Sequence, residues 1–69
     1  MYFVYVLRSR TTGKFYKGQC QNLEERVREH NRGKAKSTKS GIPWEVAYYE
    51  KLSSRNDALK REKYFKTAA

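Results

Sequence analysis

Apolar and polar residues are distributed along the chain in a pattern that predicts three strands. The segment from Tyr2 to Arg8 is aromatic and β-branched and contains no breaker, which predicts a strand. Turn residues follow at Thr11-Thr12-Gly13, and Lys14 to Cys20 then alternates well enough to form the returning strand of a hairpin. A third strand is predicted from Trp44 to Glu50, directly after Pro43.

Two helices are predicted from capping residues and helical periodicity. Asn22 is a good N-cap with Glu25 three residues later, and this helix should run to about residue 31 or 32, where Gly33 stops it. The second helix is predicted from Ser54 to Lys66, with Ser54 as its cap. The basic segment between Gly33 and the third strand is expected to be a mobile loop.

The predicted order is therefore β-β-α-β-α, which indicates the α/β (α+β) class with a three-stranded, mostly antiparallel sheet flanked by helices. The 69 residues make a single domain, close to the size at which one core is marginal. Because the last helix reaches almost to Ala69 without a glycine stop, the sequence leaves open that the domain is cut short at its C-terminus.

The charge balance narrows the class of partner. Sixteen Lys and Arg residues against seven Asp and Glu give a formal net charge of +9. Such a field attracts polyanions, and the nucleic-acid backbone is the commonest of these. An anionic membrane surface is the competing partner, but neither helix has a broad apolar face opposite a purely basic one. The single cysteine, Cys20, excludes an intramolecular disulfide and suits a reducing, cytoplasmic compartment.

Glu62 stands where a helix of this composition should carry an apolar residue. At about 100° per residue, Ala58, Leu59 and Phe65 define the buried stripe of the last helix, and Glu62 falls inside it. A carboxylate that faces a core requires a partner, a cation or a function. Taken alone, Glu62 is most simply interpreted as half of a structural salt bridge in so basic a chain.

Four further polar residues are predicted to lie near the same interior. If the hairpin turn is centred between residues 10 and 11, Tyr5 and Tyr16 lie directly opposite each other. In the first helix His30 lies within the apolar stripe and Arg26 on its shoulder. Each residue alone is more typical of packing or of a surface. With Glu62 they supply what phosphodiester hydrolysis requires: a base or water-positioning group, a cation and a metal-binding carboxylate.

The chain resembles the GIY-YIG nuclease domain family, in particular the small stand-alone bacterial type that is similar to the N-terminal domain of the excision-repair endonuclease. The resemblance covers nearly the whole chain. Two signature triplets carry it, Phe3-Val4-Tyr5 and Tyr16-Lys17-Gly18, together with Arg26 and His30 at the family's spacings. Further matches are the basic loop from Lys34 onward, the start of the third strand at Pro43-Trp44-Glu45 and the glutamate helix at residues 58–63.

The resemblance implies a role for each of these residues. Tyr5 would act as a general base or orient the attacking water, and Tyr16 would hold water or phosphate beside it. Arg26 would stabilise the scissile phosphate, His30 would relay a proton, and Glu62 would bind the metal. One hydrated Mg²⁺ or Mn²⁺ ion is expected, because a single carboxylate is too little for two metals.

DNA is the implied substrate, which suggests a part in DNA repair. Its backbone would be contacted without sequence reading by seven basic residues: Arg8, Arg10, Lys14, Lys17, Lys34, Lys36 and Lys39.

The chain departs from the family pattern at several positions. Phe3 replaces the first signature glycine, Lys17 replaces an apolar residue, and Gln19 replaces a lysine found in some relatives. A C-terminal asparagine of the family has no counterpart. By strand alternation Lys17 should face away from Tyr16 and reach solvent or DNA.

Two alternatives to an active nuclease stay open. A catalytically weak or inactive nucleic-acid-binding module would keep the basic surface without requiring Glu62. A purely structural domain would pair Glu62 with Arg26 or a lysine, and Glu62→Ala should then cost about 3–5 kcal/mol. The sequence contains no element that would read bases, and it does not fix the oligomeric state.

Overall fold

Three antiparallel strands form a sheet in which the first strand of the chain lies between the second and the third. Each face of the sheet carries one helix. The computed structural model describes residues 1–67. The elements are β1 (Tyr2–Ser9), β2 (Phe15–Cys20), α1 (Leu23–Asn31), β3 (Trp44–Leu52) and α2 (Arg55–Thr67). This confirms the predicted β-β-α-β-α order and the antiparallel sheet. Within residues 1–67, neither helix has the length and hydrophobicity that crossing a membrane requires.

The two helices lie on opposite faces of the sheet because neighbouring residues of a strand point in opposite directions. On one face, the Tyr5 side chain of β1 contacts His30 of α1. On the other face, Glu50 of β3 stands beside Val4 of β1 and accepts two hydrogen bonds from Arg61 of α2. Residues of α1 and α2 therefore approach the central strand from opposite sides.

The core is small and combines aromatic with aliphatic side chains. Tyr5, Leu7 and Trp44 form the buried cluster on the α1 side. Partly buried residues from β2, α1 and the segment before β3 surround it: Tyr16, Cys20, Leu23, Val27 and Ile42. Aromatic side chains suit such a core, because each buries a large area for few residues. Cys20 is a partly buried, free thiol.

The hairpin register differs from the prediction by two residues. Tyr5 stands opposite Gly18, and Tyr16 stands opposite Leu7. The turn is centred one residue later than assumed, between Thr11 and Thr12, and the Ser9 amide closes it by donating to the Lys14 carbonyl oxygen at 2.8 Å. A shift of two keeps every side chain on its face. Tyr5 and Tyr16 therefore lie diagonally, with ring centroids 6.4 Å apart.

The predicted ends of α1 are confirmed. The Asn22 side chain accepts a hydrogen bond from the Glu25 amide at 3.1 Å, and Glu24 and Glu25 occupy the first turn, where acidic residues favour the helix dipole. Arg32 is the C-cap, and Gly33 follows with φ of 80°, a conformation that favours glycine.

The segment after α1 is not the loose loop that its composition predicts. Lys36–Gly41 forms a 3₁₀ helix in which Thr38 and Gly41 are buried. Three side chains bind this segment. His30 contacts the Thr38 hydroxyl, and Trp44 Nε1 donates to the Thr38 carbonyl oxygen at 2.7 Å. Ser9 donates to the Gly41 carbonyl oxygen at 2.6 Å. The lysines and serines of this segment do not predict these contacts, because most of the partner residues lie far away in sequence.

The buried side of α2 also differs in one residue. Ala58 is fully buried, and Phe65 is partly buried with its ring 5.9 Å from that of Tyr48. Leu59, predicted to be in the stripe, is exposed. The small Ala58 side chain lets the helix lie close to the sheet, and this orientation turns Leu59 toward solvent.

Replacing Gly41 by alanine should destabilise the fold. A Cβ atom at Gly41 would overlap the Trp44 ring, which is itself fixed between the 3₁₀ helix and the core. We expect Gly41→Ala to lower the free energy of unfolding by about 1–3 kcal/mol, measured by urea denaturation. The neighbouring exposed Ser40 supplies the control: Ser40→Ala should stay within about 0.5 kcal/mol of wild type. Equal stability of the two variants would contradict this packing.

Candidate active site

Tyr5 lies at the centre of a polar network beneath α1. Its side chain is only 1% exposed, and its phenol oxygen is 3.1 Å from His30 Nε2 and 3.4 Å from Arg26 Nε. Gly18 faces it across the hairpin, where an added Cβ would stand 2.7 Å from the phenol oxygen. The glycine of the second triplet is thus required by the position of the phenol.

His30 connects the phenol to the 3₁₀ helix. The ring is completely buried, and its Nδ1 lies 2.8 Å from the Thr38 hydroxyl oxygen. Burial lowers the pKa of His30 below its usual value of 6.5, and the positive charge of Arg26 acts in the same direction, against a smaller opposing effect of Glu29. The imidazole is therefore neutral at neutral pH, as its place in the apolar stripe suggests.

Burial also controls the ionisation of Tyr5. Loss of solvent raises the pKa of Tyr5 to about 12, although the hydrogen bond and charge of Arg26 oppose that shift. Arg26 therefore does not turn Tyr5 into a phenolate near neutral pH. In the free protein Tyr5 is a neutral phenol, able both to donate and to accept a hydrogen bond.

Arg26 reaches the edge of the network from α1. Besides Tyr5, it contacts Glu29, with Nη1 3.0 Å from a carboxylate oxygen, and the Arg26 side chain is 36% exposed. The hydrogen bond with Tyr5, followed by that with Glu29, raises the pKa of the guanidinium above its ordinary value. A permanently charged, partly exposed guanidinium is suited to bind phosphate.

Tyr16 is the more accessible of the two tyrosines. Its ring is partly buried and packs 5.0 Å from the His30 ring and 6.4 Å from the Trp44 ring, measured between centroids. Among residues 1–67 its hydroxyl makes no hydrogen bond. Tyr16 therefore has a fixed ring and a hydroxyl that is free to meet a water molecule or a phosphate.

Glu62 lies on α2 and is not joined to this network. Its side chain is 18% exposed, and one carboxylate oxygen is 3.1 Å from Lys66 Nζ. Lys66 is largely exposed, and ion pairs of this i,i+4 kind contribute only a few tenths of a kcal/mol. The partner is a lysine, as the structural alternative expects, but the pair is too exposed for the loss of about 3–5 kcal/mol which that alternative predicts.

Of the seven basic residues predicted to contact nucleic acid, Lys17 is bound within the fold and six are exposed, although exposed Arg8 also forms an ion pair with Glu45 at 3.8 Å. Lys17 points away from Tyr16, as strand alternation predicts, but its ammonium donates to the Phe65 carbonyl oxygen of α2 at 2.8 Å. It therefore holds the end of α2 and does not extend into solvent. The other candidates for nucleic-acid contact are exposed: Arg8, Arg10, Lys14, Lys34, Lys36 and Lys39.

Two contacts bring the exposed basic residues of the hairpin turn and of the 3₁₀ helix to one end of the molecule. The Arg10 amide donates to the Pro43 carbonyl oxygen at 2.9 Å, and the Thr11 hydroxyl donates to the Ile42 carbonyl oxygen at 2.7 Å. The hairpin turn therefore rests on the chain that directly follows the 3₁₀ helix.

Two residues of the network were not singled out from the sequence. Glu29 could have been, because it stands three positions after Arg26 on the same helix, where side chains meet. Thr38 carries no local signal, since it lies in a run of lysines and serines and acquires its role only through the fold. Two of the positions that depart from the family pattern are also placed by the fold. The Phe3 ring packs against that of Tyr49, with 6.2 Å between the ring centroids, and Gln19 lies on the α2 face of the sheet beside Val4.

The chain is similar to known proteins over nearly its whole length. The profile of the GIY-YIG catalytic domain matches residues 1–69. A UPF0213 protein of Bacillus licheniformis is 39% identical over 66 residues, which are 94% of this chain and 67% of that protein. UPF0213 proteins of Staphylococcus epidermidis and Staphylococcus aureus are 40% and 39% identical over 67 residues, which are 96% of this chain and 80% of each relative. No solved structure matches significantly.

Because the family profile spans residues 1–69 and these relatives are about 40% identical over nearly the whole chain, this chain belongs to the GIY-YIG family of nuclease domains.

Proposed function

We propose that this domain is a metal-dependent DNA endonuclease that directs water onto a phosphodiester bond. The observation that carries the proposal is the buried Tyr5 phenol between the Arg26 guanidinium and the His30 imidazole, with the hydroxyl of Tyr16 free beside them. Membership of a nuclease family already implies a nucleic-acid substrate. The choice of DNA and the role of each residue belong to the proposal.

The two tyrosines have different roles because their exposure to solvent differs. Tyr5 is almost inaccessible and stays neutral, so a role as a free phenolate base does not suit it. Tyr16 is the tyrosine that meets the attacking water. Tyr5 supports it from beneath by holding Arg26, and it connects the site to the neutral His30, which can accept a proton.

Arg26 stabilises the charge that develops on the phosphate. Its guanidinium is already oriented by Tyr5 and Glu29 and is open to solvent on one side. A phosphate oxygen can join or replace the Glu29 carboxylate, because a guanidinium offers several donors in one plane. Orienting the cation before substrate arrives lowers the reorganisation needed in the transition state.

Glu62 is the carboxylate that would hold the metal. Residues 1–67 contain no cluster of three or more histidine, cysteine or acidic side chains, so an ion here would be held by one carboxylate with water and substrate oxygens. Mg²⁺ and similar ions accept such a set, and the Lys66 ion pair is weak enough to open. A bound ion would stabilise phosphate charge and make water more acidic.

The exposed basic residues would bind the DNA backbone. Those of the hairpin turn and of the 3₁₀ helix lie at one end of the molecule, which favours contact along a single strand path. Such contacts orient DNA without reading its sequence. The single free thiol and this substrate both suit the cytosol of a bacterium.

A nucleic-acid-binding module with weak or no catalysis is the second candidate. It is favoured by one observation: within residues 1–67, Glu62 shares no hydrogen bond or ion pair with the tyrosines or with Arg26. The basic surface would serve this function without change.

Cleavage should depend on Glu62 and not on its ion-pair partner. In assays with labelled duplex, single-stranded and branched DNA plus Mg²⁺ or Mn²⁺, Glu62→Gln should abolish cleavage and leave DNA binding intact. Lys66→Gln removes the partner and should still cleave, and neither variant should lose more than about 0.5 kcal/mol of stability.

Three results are informative in that comparison. Metal-dependent cleavage that survives Glu62→Gln would remove Glu62 from the metal site. Binding without any cleavage by the wild type would replace the nuclease with the binding module. Loss of cleavage in both variants would point to the ion pair itself.

The free energy of unfolding should fall when the solution is acidified through the range in which histidine titrates. The folded protein lowers the pKa of His30, so the unfolded chain takes up a proton first as the pH falls below about 6.5. Stability from the neutral ring is therefore complete above that value and is lost below it.

Urea midpoints from about pH 7.5 to about pH 5.5 would measure this loss. His30 is the only histidine of the chain, so a proton NMR titration of its ring assigns the effect. A His30 pKa at or above its ordinary value would contradict the buried neutral ring.

A further inference from the structure

Hydrogen bonds run in series through the buried His30, and their directions can be worked out from the outer end. The Thr38 hydroxyl oxygen lies 3.3 Å from the Ala35 carbonyl oxygen, which can only accept, so the hydroxyl proton points there. The Thr38 oxygen must then accept at its other contact, the 2.8 Å one with His30 Nδ1. This places the proton of the neutral imidazole on Nδ1.

The inner half of the series follows from that assignment. With the ring proton on Nδ1, Nε2 carries a lone pair and accepts the phenol proton of Tyr5 at 3.1 Å. The phenol oxygen in turn accepts from Arg26 Nε–H at 3.4 Å. Each contact has one donor and one acceptor, and residues 1–67 contain no buried side-chain nitrogen or oxygen without a partner.

The opposite tautomer does not satisfy these contacts. A proton on Nε2 would point at the Tyr5 oxygen, which already receives the Arg26 donor, and the phenol proton would have no acceptor among residues 1–67. The Thr38 hydroxyl would also have to abandon Ala35 to donate to Nδ1. The geometry therefore distinguishes the two forms of the ring.

We propose that Thr38 is a positioning residue that fixes His30 in the Nδ1-protonated form and leaves Nε2 ready to accept the proton of Tyr5. This inference rests on the proposed function for its catalytic meaning. Thr38 is suited to the task because it is completely buried and its backbone carbonyl is bound independently by Trp44 Nε1 at 2.7 Å. The backbone at Thr38 is therefore held in place independently of the histidine ring.

Thr38 also lies close in sequence to two residues that are candidates for DNA contact. It lies in the same short 3₁₀ helix as Lys36 and Lys39, two exposed candidates for DNA contact. The segment that would meet the substrate backbone therefore also supplies the group that orients the histidine.

Nitrogen-15 NMR of the histidine ring tests the proposal in the DNA-free protein. At about pH 7.5 the ring is neutral, and each nitrogen reports whether it carries a proton. Wild type should show a protonated Nδ1 and a bare Nε2. Thr38→Val keeps the shape but loses the acceptor for Nδ1–H, so the fraction of rings protonated on Nδ1 should fall and signals of the Nε2-protonated form should appear. Thr38→Ser restores a hydroxyl and should restore the wild-type signals.

Other groups around the ring stay constant across these variants. The titratable side chains that face His30 are those of Tyr5, Tyr16, Arg26 and Glu29, and none of them is changed. A merely structural role for Thr38 would lower the urea midpoint without moving the ring proton. Cleavage by Thr38→Val should fall by about 10- to 100-fold and recover in Thr38→Ser.

The result that would overturn the proposal is a wild-type ring protonated on Nε2, or a Thr38→Val ring in which Nδ1 is as fully protonated as in wild type. If Thr38→Val does not fold, the wild-type and Thr38→Ser spectra still decide, since both must show Nδ1 protonated. The expected spectra without cleavage by any protein would remove the nuclease function and leave the tautomer assignment standing. Cleavage by a wild type whose ring is protonated on Nε2 would remove the tautomer assignment and leave the nuclease function standing.

Discussion

The two hydrogen bonds of the buried His30 ring hold together three parts of this molecule: β1 through Tyr5, α1 through the histidine itself, and the 3₁₀ helix through Thr38. A domain of this size has little apolar core, and here it amounts to a few mostly aromatic side chains. Satisfied buried polar contacts then contribute much of what makes one arrangement unique. The same contacts fix the phenol on which the site is built, so fold and chemistry depend on one neutral ring.

The polar network and Glu62 are carried by helices on opposite faces of the sheet, so one substrate can reach both only around an edge of the sheet. Tyr5 and its partners lie under α1, whereas α2 is attached to the other face by the Arg61–Glu50 ion pair, the Phe65–Tyr48 ring contact and the Lys17 hydrogen bond. Glu62 is thereby presented at partial exposure, with only a weakly bound lysine beside it. Buried groups set the orientation of the site, and half-exposed groups such as Tyr16, Arg26 and Glu62 are left to meet solvent ions and substrate.

Much of the fold could be predicted because its signals are local. The Asn22 cap, the Gly33 stop and the burial of His30 all follow from spacing along the chain. Features that depend on contacts between distant residues could not be predicted. The hairpin register was wrong because the Ser9–Lys14 hydrogen bond places the centre of the turn one residue later than assumed. The order in residues 36–41 was missed because its partners are His30, Trp44 and Ser9. The spacing also brought Tyr5, Arg26 and His30 together correctly, whereas the neutrality of Tyr5 depends on how deeply the fold buries it.

The chemistry of this site depends on Tyr5 being a buried, neutral phenol and not an activated base. Carbon-13 NMR of the Cζ atom, with Tyr5→Phe to assign the signal, measures its ionisation directly. An ordinary tyrosine is half ionised near pH 10. The pKa of about 12 predicts that the Tyr5 signal keeps the position of a neutral phenol at that pH. A Tyr5 that ionises at or below about pH 10 would show that Arg26 outweighs burial and would contradict the account.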